Sequence, residues 1–188
     1  MSHLDARRIS DRMHRTATVI GLLLAITAIT TAQSKPPAAS KPASTGPKQL
    51  GKFDDWIAAT NQESGQTACY AFVRAKNSVP ALPGRGEVVL TVTQRPSGRD
   101  TVAISAGFPY RKDATVTMQV DTTGLDFYTS QSSAFARDGK AVVAAFQRGQ
   151  VAQARSPGPR DGQVIVDTFS LRGFSAAYAA INKACPAR

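Results

Sequence analysis

The sequence predicts a mainly β domain, a sandwich or partly open barrel finished by a short C-terminal helix. Side chains alternate across several short runs: Val88, Leu90 and Val92 in "EVVLTVTQ", Val102, Ile104, Ala106 and Phe108 in "TVAISAGF", Val116, Met118 and Val120 in "TVTMQV". Such alternation marks strands with one face buried. Clusters of turn residues, "RPSGRD" and "DTTGLD", separate several of these runs. At the end of the chain the period changes. Phe174, Ala177, Tyr178, Ile181 and Cys185 recur at spacings of three and four, which places them on one face of a helix. About seven strands with a helix laid against them is the pattern of a sandwich or an incompletely closed barrel.

Taken in order, residues 1–32 read as a signal peptide. Arg7, Arg8, Arg12 and Arg15 precede the apolar stretch "ATVIGLLLAITAI" at 17–29, and small residues follow. The stretch is shorter than the roughly 20 residues that span a bilayer comfortably. Thr30 and Ala32 fit the positions before a cut after Ala32; a retained anchor is the alternative, and Met13 is an alternative start. Residues 33–50, "QSKPPAASKPASTGPKQL", read as a Pro/Ala/Lys-rich linker, because such a stretch buries too little apolar area to offset its ordering entropy. Residues 51–188 then form a single domain, within the size of one core.

In that domain Trp56 opens the first strand as a core anchor, a binding aromatic being the other reading. "GRGE" at 84–87 lacks the Lys-Ser/Thr of a phosphate-binding loop and reads as a connection between strands. Further β-like runs lie at 141–146 and 164–171. Each follows an Arg-Asp-Gly at 137–139 or 160–162, an echo that reads as two turn-to-strand entries with solvated arginines. Ser175 is the expected N-cap of the closing helix and Pro186 its stop.

Composition restricts the chemistry. The formal charge is +10 with a pI near 10.1, which favours acidic partners. No Lys/Arg block exceeds two residues and aromatics make up 7% of the chain, a poor match to a nucleic-acid arm. Both histidines, His3 and His14, fall in the expected signal peptide, so the mature chain offers no imidazole base, no Ser-His or Cys-His pair and no histidine metal ligand. Asp54 and Asp55 are adjacent and face different ways in regular structure, so they make no ready acid/base pair. No catalytic residue, metal site or cofactor is expected. "FPYRK" at 108–112 sets two aromatics beside two cations, so Tyr110, Arg111 and Lys112 are the candidate binding residues for an acidic glycan or partner, with an exposed loop end as the plain alternative.

The two cysteines cannot form a CxxC unit. Export would place both in an oxidising compartment, and two is the smallest number that closes a bridge. Cys185 shares the helical face of Phe174, Tyr178 and Ile181, and Cys69 opens the early strand "CYAFV", so a Cys69–Cys185 disulfide is expected, two separate buried thiols being the alternative.

"FDDW", "CYAF", the alternating strands with Gly107 and above all "SLRGFSAAYAAI" together resemble the invasion-associated locus B family of small secreted or periplasmic alphaproteobacterial proteins, over residues 53–185. The resemblance implies an immunoglobulin-like β-sandwich and a non-enzymatic role, with some members linked to host-cell invasion. Where members often carry further cysteines, this chain has Thr60, and Ser130, Ser132 and Ser133. The leading expectation is a periplasmic or secreted, monomeric binding or envelope-associated protein, engaging an acidic glycan, lipopolysaccharide or an envelope or host protein. The alternatives are a histidine-free hydrolase and a structural envelope protein tethered by an uncleaved N-terminal segment.

Overall fold

Short turns whose residues tolerate the left-handed region join the first strands. In the computed structural model, which describes residues 46–187, β1 (Lys48–Phe53) turns into β2 (Trp56–Glu63) through Asp54 at φ 48°. β2 turns into β3 (Gln66–Arg74) through Ser64 and Gly65, at φ 48° and 79°. Positive φ at both central positions matches the twist of the flanking strands. The expected signal peptide and most of the expected linker lie outside the described residues. β1 begins at Lys48, so residues 48–50, assigned to the linker by composition, already belong to a strand: Lys48 and Gln49 pair with β2, and Leu50 sits at a register irregularity.

The remaining elements are β4 (Asn77–Val79), β5 (Val89–Arg95), β6 (Gly98–Ser105), β7 (Thr115–Val120), β8 (Thr123–Ser130), β9 (Ser133–Ala136), α1 (Gly139–Arg148), β10 (Val151–Pro157), β11 (Val164–Ser170) and α2 (Phe174–Ala184). Among the described residues the eleven strands form one antiparallel sheet in the order β1-β2-β3-β5-β6-β9-β8-β7-β10-β11-β4. The mainly β expectation with a C-terminal helix holds, and the sheet is open. Its two ends are nevertheless linked by the chain itself, because residues 74–77 carry β3 across to β4 at the far edge. Lys76 N–H donates to Thr168 O (2.8 Å) on β11 at that crossing.

Two local expectations are corrected. The run at 141–146 is helical: Asp138 Oδ1 accepts from Ala141 N (3.0 Å) as the N-cap, and Val142, Val143, Ala145 and Phe146 bury one face of α1. Short apolar runs do not distinguish strand from helix by pattern alone, and the alanines favour helix. Only the second Arg-Asp-Gly leads into a strand. The cap of α2 is Gly173 at φ 84°, not Ser175. A Cβ there would stand 2.0 Å from Phe53 O, so the close approach of α2 to the β1–β2 hairpin requires glycine.

Strands β2, β3 and β5–β11 all contribute to the buried interior, and both helices join them in one cluster. At its centre Phe174 of α2 meets Trp56 and Phe146 edge-on, with ring centroids 4.9 and 5.3 Å away. Trp56 is fully buried, as the core-anchor reading expects, and its indole N–H donates to Ser170 O (2.9 Å). α2 is further held by Tyr178, whose hydroxyl donates to Asp100 Oδ1 (2.7 Å), and by Arg99, which donates to Cys185 O (2.9 Å).

Candidate functional site

The loop-rich end of β4, β7, β10 and β11 is built around a buried ion pair. The inward alternation of β11 carries Ile165, Asp167 and Phe169, so the sheet itself forces a carboxylate inside. Arg85 from the β4–β5 loop meets both its oxygens, Nη1 to Oδ1 and Nη2 to Oδ2 at 2.8 Å each, with the two side chains 5% and 2% exposed. Ser78 Oγ donates to Asp167 Oδ1 (2.6 Å), and Arg85 Nε donates to Ala106 O (2.7 Å). The guanidinium lies over the Phe108 ring, 5.0 Å from its centroid, and Phe108 packs edge-on against Tyr110. Gly107, at φ 72°, lets the β6–β7 loop close on Gly86, whose oxygen a Cβ would meet at 2.4 Å. "GRGE" is therefore a connection between strands whose arginine is part of the interior.

This base divides the three candidate residues. Tyr110 is half-buried and packs against the core; burial pushes its phenol up to about 12, and its neighbour Ser156 offsets part of that push. It acts as a support. Arg111 is exposed and paired with Asp161 of the β10–β11 hairpin, and donates to Pro159 O (3.3 Å). Lys112 is exposed on the adjoining turn.

Arg111 lines a groove of about 410 Å³ together with Arg155 and Arg160. Strand register makes this cluster. Arg155 stands at an exposed position of β10 between Thr117 of β7 and Val166 of β11, while Arg160 rises from the hairpin that also carries Asp161. Among the described residues neither Arg155 nor Arg160 has a carboxylate within ion-pair distance. In the sequence Arg160 reads as a solvated turn residue, and nothing there singles out Arg155. The exposed half of an alternating strand gives no signal of what its neighbours present. Its echo partner Arg137 goes elsewhere, 5.8 Å above the Tyr128 ring.

At the opposite end, Cys69 of β3 and Cys185 after α2 form a disulfide with 6.0 Å between their Cα atoms. A second groove, about 530 Å³, lies beside it. Its arginines are occupied: Arg95 pairs with Glu63 at 2.7 Å, and Arg99 is held by Asn182 and Cys185. Glu63 is held below the usual carboxylate range by the hydrogen bond from Arg95. No group of three or more His, Cys, Asp or Glu among the described residues is placed to hold a metal ion, and none of the described helices is long and apolar enough to cross a membrane.

Sheet, helices and bridge together define a disulfide-tied β-domain with a cationic groove on its outer face. The family model described as invasion associated locus B (IalB) protein matches residues 56–182, and the chain belongs to that family. The crystal structure of invasion associated protein B from Bartonella henselae is similar at 17% identity with a TM-score of 0.53, covering 71% of this chain and 95% of that one. That likeness supports the fold. Among curated proteins none matches the chain.

Proposed function

We propose that this member of the family is an exported, non-enzymatic protein that binds acidic glycan or lipopolysaccharide at an envelope or host surface. One observation carries the reading: Arg111, Arg155 and Arg160 converge on one groove, and two of the three lack a carboxylate partner among the described residues. The domain charge agrees with it. Residues 51–188 hold 16 Lys and Arg against 11 Asp and Glu, a net of +5. That charge biases encounter with anionic polymers. The order of charged, apolar and small residues at the start of the chain supports export, and the Cys69–Cys185 bond suits an oxidising compartment.

Binding of the exported protein to immobilised heparin and to lipopolysaccharide vesicles tests this. Retention is expected at about 0.01 M salt, where the screening length is about 30 Å, and loss at about 1 M, where it is about 3 Å. The polymer should be recovered unchanged. Absence of retention at low salt, or cleavage of the polymer, would reject the reading.

A further inference from the structure

We infer that the groove between β7, β10 and the β10–β11 hairpin is a subsite for a single acidic sugar residue, one that carries an anionic group beside free hydroxyls. This inference rests on the reading above and assigns it a place. The arginines supply half of the argument. Like charges held together repel one another, and among the described residues only Arg111 is compensated, by Asp161. An anion bound between Arg155 and Arg160 relieves that repulsion and finds planar, forked donors suited to a carboxylate or a phosphate.

The other half comes from a polar atom without a partner. Among the described residues three buried side-chain oxygens lack a hydrogen bond within the protein; one of them, Gln163 Oε1, belongs to the lining of this groove, while Ser156 Oγ lies on the opposite, inward face of β10 beside Tyr110. The third, Asp55 Oδ2, has Lys76 Nζ at 3.2 Å. Buried polar atoms are nearly always satisfied, so an orphaned acceptor at this groove calls for a ligand.

Gln163 Oε1 narrows the chemistry. Its side chain lies over Gly158, where a Cβ would stand 2.5 Å from that oxygen, so the hairpin holds it in place. The oxygen only accepts. A bare oxyanion would satisfy the guanidiniums and repel Gln163 Oε1, as it would Asp161. A ligand presenting an anion to the arginines and a hydroxyl to Gln163 satisfies both. Thr117 extends the polar wall at the level of Arg155. At about 410 Å³ the groove falls in the usual size range for small ligands.

The test is calorimetric titration of the exported protein with a hyaluronan tetrasaccharide, its carboxyl-reduced neutral counterpart, inorganic phosphate and tetraglutamate. We expect the uronate tetrasaccharide to bind and the neutral one to bind at least tenfold more weakly. R155Q and R160Q should each weaken binding about tenfold and Q163L about threefold, with R172Q, on a surface arginine outside the groove, unchanged. Arg155 and Arg160 are exposed and Gln163 is half-buried, and unaltered thermal melting confirms that the variants fold. If R155Q/R160Q keeps tetrasaccharide affinity within twofold while wild type and variant both retain heparin, the subsite is wrong and the charge-driven reading stands. If wild type binds neither heparin nor the tetrasaccharide at low salt, both fall. Phosphate or tetraglutamate binding as tightly as the uronate would also overturn the sugar assignment.

Discussion

Asp167 is the residue on which the loop-rich end depends. Its two oxygens are taken by the Arg85 fork and by half-buried Ser78, with the ion pair itself out of water. Such a pair contributes little compared with well-packed apolar groups, but removing one member strands a buried charge. D167N is therefore expected to cost about 3–5 kcal/mol in urea unfolding, whereas R85M/D167L should cost clearly less than D167N. Half of this arrangement was legible beforehand. An Asp at an inward position of an alternating strand, between Ile165 and Phe169, asks for a buried cation. Nothing in "GRGE" identifies Arg85 as the answer, because a loop residue's partner is set by which strands the loop bridges. Tyr110 shows the reverse case: its place beside Arg111 and Lys112 suggested a ligand contact, and packing made it a wall for Phe108 and Ser156.

Strands were easier to read than helices, for a reason visible in particular segments. "TVTMQV" alternates cleanly because β7 buries Val116, Met118 and Val120 on one side only. The run at 141–146 has Val142 and Val143 both inside, which fits a helix turn as well as a strand, and the Asp138 cap decides it. The groove was not legible at this scale, since it requires the β7–β10 register and the hairpin turn together. α2 carries its own prediction. Gly65 and Gly173 both have positive φ, 79° and 84°, but a Cβ at Gly65 meets nothing within 4 Å while one at Gly173 meets Phe53 O at 2.0 Å. G65A should lose about 1 kcal/mol for backbone strain alone, and G173A distinctly more, with displacement of α2 visible as altered Trp56 fluorescence.

For the whole molecule, the Cys69–Cys185 bond spans 116 positions and ties the last helix to an early strand. On the chain-entropy account such a closure is worth about 4–5 kcal/mol. C69A/C185A is expected to keep the fold and lose roughly that amount in urea unfolding, as is wild type after reduction; an unchanged midpoint would contradict this. The fold's long-range wiring has a further meaning. Trp56 finds its hydrogen-bond acceptor, Ser170, 114 residues later, and its ring neighbour Phe174 beyond that. A chain emerging N-terminus first, from a ribosome or through a secretory pore, cannot finish this interior until α2 is out. Assembly must await that helix, so the early strands spend the interval uncovered, and any companion that shields them has to hold them until α2 arrives.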